Sequence, residues 1–221
     1  MSTAIAVRML NDGEMMASSN NSNDFLLAPR AGVCLDFTNT LAYRGSFPTE
    51  SLHSFTDLLN WCSDSRSIPP QLAHQLGAWP DKHPKRAANI LSEAIELREV
   101  IYRVFHAVAL EGNPDDLDLN LLNRALRDAP LRTTLQRGAD GFGWQVEESK
   151  TSAASILAPV LWSAGDLLVG PQLSKLRECS NDKCLWLFLD DSKNGTRRWC
   201  SMQSCGNRAK AHRHYLRQKG S

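Results

Sequence analysis

The 221-residue chain has no apolar run approaching the roughly 18 to 20 residues that a membrane-spanning helix needs. Its start also lacks a charged n-region followed by an apolar h-region. Both absences point to a cytoplasmic protein with no membrane partner. There is no G-x-S-x-G, no G-x-x-x-x-G-K-[ST] and no G-x-G-x-x-G after a strand, so hydrolase, P-loop and dinucleotide-binding readings lack support. The six histidines are scattered without metal spacing, and no carboxylate pair is convincing, since Asp115-Asp116 reads as a helix start. An enzyme is not expected. No internal repeat is present, and the Gly170-Pro171 break is the longest candidate linker. From Gly206 onward the chain has no acidic residue at all.

That last absence shows up as a charge asymmetry hidden by the overall net charge of +1. From Gln172 to the end there are eleven Lys and Arg against four acids, a net +7, which leaves −6 for the rest. A basic end on an acidic body predicts a polyanionic partner for that end.

Cysteine usage divides the chain at the same place. Cys34 and Cys62 are isolated among apolar neighbours and read as core thiols. The other four form two close pairs, Cys179-x4-Cys184 and Cys200-x4-Cys205, separated by fifteen residues. Two disulfides would be one use for them, but a reducing compartment favours metal. Zinc takes four thiolates as a tetrahedron, and four cysteines with no open position imply one structural ion.

Ahead of that module the pattern is mostly helical. Residues 1–24 carry a Ser/Asn cluster and no sustained period, and read as a disordered leader; residues 25–171 form the main domain and 172–221 the zinc module. Residues 33–40 are rich in β-formers and predict a strand or extended buried segment. Ser54 caps a helix with Phe55, Leu58, Leu59 and Cys62 on one face, stopped by Pro69-Pro70. Pro84 opens the longest periodic run, with Ile90, Ala94, Leu97, Ile101, Val104 and Val108 in line, closed by Gly112. A helix follows Asp115, a glycine-bearing hairpin spans roughly 131–147, and a last helix runs over about 152–169 with a kink or late start at Pro159. The fold class expected is mainly α with a small antiparallel β component, an α+β domain, followed by a small treble-cleft-like or ribbon-like zinc module.

Within that module, residues 185–189 predict a strand, Asn194-Gly195 a turn and residues 196–199 the returning strand. Trp186, Phe188 and Trp199 make its small core. Asn207 is placed to cap a helix running to Lys219, on which Lys210, Arg213 and Arg217 fall in one sector at 100° per residue. Tyr215 and Leu216 lie on flanks suited to packing against the zinc knuckle. Arg197, Arg198 and Arg208 add charge, and the whole set suits phosphate contacts with one or two arginines reaching guanine edges.

The residues Cys179-x4-Cys184, Leu187-Phe188-Leu189-Asp190, Arg197-Arg198-Trp199-Cys200-Ser201 and Cys205-Gly206-Asn207-Arg208-Ala209-Lys210 resemble the CGNR-type zinc finger. Leu35-Asp36-Phe37-Thr38-Asn39-Thr40-Leu41 with Arg44 resembles the ABATE domain that precedes this finger in bacterial proteins described as stress-induced transcription regulators. The resemblance implies zinc on Cys179, Cys184, Cys200 and Cys205, DNA binding through the finger, and a regulatory or ligand-sensing front domain.

The expectation is a zinc-dependent DNA-binding transcription regulator, with RNA as the other candidate polyanion. A small-molecule effector would be held by Asp36, Asn39, Thr40 and Arg44, although those polar groups equally serve to satisfy backbone at a strand end. A homodimer is expected, because one finger reads few base pairs. The competing readings are a protein-interaction adaptor docking through the zinc module and, third, a small-molecule enzyme or binding protein in the front domain.

Overall fold

The computed structural model describes residues 25–27, 30–138, 141–146 and 151–219. The leader expected over residues 1–24 lies outside them. After β1 (Phe25–Leu27) comes α1 (Val33–Thr38), then the short hairpin β2 (Leu41–Ala42) and β3 (Thr49–Glu50). Helices α2 (Phe55–Asp64), α3 (Pro70–Gly77), α4 (Trp79–Lys82), α5 (Pro84–Ala109) and α6 (Asp116–Asp128) follow. The hairpin β4 (Thr134–Gly138) and β5 (Gly141–Val146) leads to α7 (Ala153–Ile156) and α8 (Ala158–Val169). The zinc module comprises β6 (Leu176–Glu178), β7 (Leu187–Leu189), a π-turn at Met202–Gly206 and α9 (Asn207–Lys219). Among the described residues the strands form three small antiparallel sheets, in the orders β1-β5-β4, β2-β3 and β6-β7.

Local chemistry explains most of these boundaries. Ser54 Oγ accepts from the Asp57 amide, while the Asp57 carboxylate accepts from the His53 amide, a reciprocal cap that starts α2. Pro84 opens α5, and Ile90, Ala94, Leu97, Ile101 and Val104 are buried along it. Pro159 sits in the first turn of α8, and Leu157 breaks the expected single helix into α7 and α8. Helix α8 is buried from Ala158 to Ala164 on every side, so it forms the centre of the body. Burial pushes the Cys34 and Cys62 thiols up to about 12, which leaves them as inert core groups.

Residues 33–38 are a helix and not the expected strand. Val33, Cys34, Leu35, Phe37 and Thr38 are all buried, so no period is visible in the pattern of apolar residues. Gly32, at φ 76, turns the chain into the helix. The hydroxyls of Thr38 and Thr40 donate back to the carbonyls of Leu35 and Phe37, which makes β-formers tolerable here.

One face of α5 carries a buried ionic network. The Arg98 side chain is 2% exposed. Its Nη1 and Nη2 donate to Glu50 at 2.7 and 2.8 Å, its Nε to Glu99 at 2.8 Å, and Nη1 also to Thr40 at 3.1 Å. Arg44 completes the chain, donating to Glu99 at 2.6 Å and to the Thr38 carbonyl, with its guanidinium 3.8 Å from the centre of the Tyr102 ring. Burial alone would raise the Glu50 and Glu99 carboxyls, but the arginines outweigh it and hold both below the ordinary 4.5. Carboxylates with depressed values in the folded state contribute stability above their unfolded value and lose it as pH falls through the folded one. Thermal melts between pH 6 and pH 3 are therefore expected to show the melting temperature falling once pH drops below 4.5. A melting temperature that is flat across that range would contradict the network's contribution.

Candidate metal centre and basic helix

Strand β6 pairs with β7 and brings Cys179 beside the turn that carries Cys184. The Cys179 amide donates to the Trp186 carbonyl, and the Ser180 amide to the Arg198 carbonyl. The expected return strand at residues 196–199 does not form. One edge of β7 is taken by β6, and its other edge by the side chain of Asn39 from α1. Asn39 donates to the Leu187 carbonyl at 2.8 Å and accepts from the Leu187 amide at 3.2 Å, as a neighbouring strand would. The chain after β7 is instead turned by Asp190, which accepts from the amides of Ser192 and Arg197 and from the Ser192 hydroxyl.

The four cysteine sulfurs lie within 4.8 Å of one another. Cys184 to Cys200 is 3.7 Å and Cys200 to Cys205 is 3.8 Å. A zinc ion at about 2.3 Å from each of four sulfurs sets tetrahedral edges of about 3.8 Å. A disulfide would need about 2.05 Å, and all four cysteines are free thiols. Four sulfurs gathered this closely suit a divalent cation, which takes all four as thiolates. The Asn181 amide donates to Cys205 Sγ at 3.2 Å and fixes that sulfur from outside the ligand set. Phe188 is buried against the cysteines, with Trp186 and Trp199 packed at the margin, so the three aromatics form the module's core. The four cysteines make a single structural zinc site.

Gly206 serves a close approach and not a left-handed turn: a Cβ there would come within 2.7 Å of the Met202 sulfur and 3.4 Å of the Trp199 ring. Asn207 does not cap a helix as expected. The π-turn at 202–206 runs straight into α9, so Asn207 is already helical at φ −68 and ψ −39, and its side-chain Nδ2 donates to the Gln203 carbonyl. Tyr215 and Leu216 do not pack on the knuckle but stand 54% and 52% exposed. No residue of α9 is buried.

The basic residues fall into two groups. Lys210, Arg213 and Arg217 are exposed in one sector of α9, with the Arg213 Nε turned to its own helix at the Ala209 carbonyl. Arg198 lies beside them, 5.4 Å from the Trp199 ring, and shares a hollow with Arg213. Arg197 and Arg208 are also exposed, but each is tied to a neighbour. Arg197 donates to the carbonyls of Trp199 and Cys200 and covers the Phe188 ring at 4.5 Å, closing the knuckle. Arg208 donates to the Tyr43 hydroxyl at 2.6 Å.

Asp36 and Asn39 line a groove of about 290 Å3 between α1 and the zinc module, in which Asp36 pairs with Arg30. Thr40 and Arg44 are not in it; they belong to the buried network around Arg98. The four therefore do not gather around one cavity.

The zinc module is docked on the body. Besides the Asn39 clamp, the Trp186 indole donates to the Leu41 carbonyl, the Tyr102 hydroxyl to the Leu185 carbonyl, and His106 Nε2 lies 2.7 Å from Glu178. Leu176 and Leu187 of the module are buried in the same hydrophobic cluster as α1, α5 and α8. Of these residues Asn39 carries a visible signal as a polar exception in an apolar stretch; in the body's ionic network Arg98 does too, four residues after Ala94 and three before Ile101 on the buried stripe.

Residues 31–171 match the family model ABATE, described as "Putative stress-induced transcription regulator", and residues 175–218 match that of the CGNR zinc finger. The first match spans well over half of the chain, which thus belongs to the ABATE family and carries a CGNR zinc finger at its C-terminal side. No curated protein matches it. Neither family description is that of an enzyme, and among the described residues no helix is long and apolar enough to cross a membrane.

Proposed function

We propose that this zinc-binding regulator acts on transcription by binding duplex DNA through α9. The observation that carries the reading is the position of that helix. It meets the body at its root, where Arg208 bonds Tyr43, and has no buried residue, so Lys210, Arg213 and Arg217 lie exposed as one cationic stripe on a metal-anchored base. An adaptor that used the stripe to dock against its own acidic body would show the opposite, a helix laid along that body. RNA shares the phosphate chemistry, but a single exposed helix suits the major groove of B-form DNA, whereas the A-form groove is too deep and narrow for it.

In this reading the body holds the finger in place, and the groove beside Asp36 and Asn39 is where an effector would shift it. A homodimer supplies the second half-site that one helix cannot read.

Selection of bound sequences from a random duplex pool by zinc-loaded protein tests the proposal. Lys210→Ala is expected to keep one zinc per chain and to lower the slope of log affinity against log salt by about 1. Arg213→Ala is expected to weaken binding roughly ten-fold or more, with relaxed preference at one base position if it reaches a guanine. Zinc-loaded protein without salt-dependent affinity for any duplex would end this reading.

A further inference from the structure

Beside the contact between body and zinc module lies an open hollow of about 400 Å3. Its polar walls come from both parts: Tyr43 from the β2–β3 turn, Asp182 and Lys183 from between the first two cysteines, and Trp199, Arg208 and His212 from the knuckle and the root of α9.

Tyr43 is held there at a cost. Its φ of 55 lies in the left-handed region, which is rare for a bulky side chain and marks a constrained position. Two residues on, Gly45 is pressed against the knuckle so closely that a Cβ would come within 1.8 Å of the Asp182 carbonyl oxygen. The body's turn is thus fixed against the zinc module, with the phenol aimed at α9.

The hydrogen bonding leaves donors to spare. Arg208 donates to the Tyr43 oxygen at 2.6 Å, with its guanidinium 5.2 Å from the ring centre. A phenol oxygen that accepts from arginine keeps its own proton for a third group. Arg208 has further N–H groups, and the exposed Lys183 ammonium has no acceptor among the described residues. Lys183 and Arg208 are the cations of the hollow, set against the Asp182 carboxylate and the Cys205 thiolate of the zinc centre, which also lines it. Past Trp199, Ala209 and His212, which are common to both, a second hollow of about 440 Å3 carries Arg198 and Arg213. The two make one basic track around the root of α9.

We infer that the hollow under Tyr43 is a phosphate seat for the DNA backbone, built jointly by the body and the zinc module. Lys183 and Arg208 supply the charge, and the Tyr43 hydroxyl supplies a neutral donor that fixes where the phosphate sits. The inference rests on the DNA-binding reading and extends it: the body is part of the interface and not only its carrier.

The test uses full-length zinc-loaded protein and one duplex from the selected pool, with Arg213→Ala as the reference variant. Tyr43→Phe keeps the ring and removes only the hydroxyl, and is expected to weaken binding about 3- to 10-fold at unchanged zinc content. Lys183→Ala is expected to lower the salt slope by about 0.9. Unchanged binding by Lys183→Ala overturns the seat, because a loss in Tyr43→Phe alone would reflect a shifted Arg208. If Arg213→Ala weakens binding while Lys183→Ala does not, only the seat is wrong. If the unmodified protein binds no duplex, the DNA reading fails and the seat with it.

Discussion

Cys184→Ser, or withdrawal of zinc by a chelator, is expected to unfold the module from β6 to α9 and to destabilise the body with it. The module itself has only Phe188 and the two tryptophans packed on its cysteines, too little to fold without its ion. Structural zinc in small modules contributes about 10–16 kcal/mol of apparent binding energy that is also folding energy. Losing it releases the strand pair β6-β7, and with that pair go Leu176 and Leu187, which are buried in the body's own core. Each leucine removed from such a core costs about 2–5 kcal/mol. The melting temperature of the body is therefore expected to fall by about 10 °C or more, at about 2–4 °C per kcal/mol for a chain of this size. Zinc content, thermal unfolding and duplex affinity should be lost together. A chelated protein that melts at the same temperature would show the module to be merely tethered.

Arg98→Ala is expected to destabilise the protein by about 3–5 kcal/mol while leaving the zinc site intact. The guanidinium is 2% exposed and serves three side chains, so removing it leaves Glu50 with only the amides of Ser51 and Leu52 and leaves Glu99 to Arg44 alone. Arg98→Lys should recover little, since an ammonium cannot reproduce the planar fork that meets both oxygens of Glu50. The informative comparison is Arg98→Met with Glu50→Leu, which removes both charges and is expected to restore most of the loss. Denaturant unfolding of the three variants separates these cases. A single Arg98→Ala within about 1 kcal/mol of the parent would mean that water already solvates the pair.

The zinc ligands and the helices α2, α5, α6 and α8 were legible because each is encoded locally: paired cysteines, caps and a 3.6-residue stripe. What failed depended on partners far away in the chain. Residues 33–38 carry β-forming residues, yet all but Asp36 are buried, packed against α5, α8 and β7, which erases the period that would identify a helix. The return strand at 196–199 was a sound local inference from Asn194-Gly195. Its place beside β7 is taken by Asn39, 148 residues before Leu187, which no turn signal could reveal. Arg197 and Arg208 are surface charges with a second task that composition does not disclose: one closes the knuckle and the other meets Tyr43. Arg98 left a fainter trace, a charge on an apolar stripe, readable only once its partners Glu50 and Glu99 are known to reach it.

Helix α9 is anchored at its root, where Gly206 meets Met202 and Trp199 and where Tyr43 holds Arg208. Thirteen residues make a rod about 20 Å long. A tilt of about 10° at the root swings the far end by about 3.5 Å, close to the rise of about 3.4 Å from one base to the next along a strand. The contacts around Tyr43 thus act on a lever arm, and a displacement too small to disturb the zinc would move the outer turns by one step of the duplex.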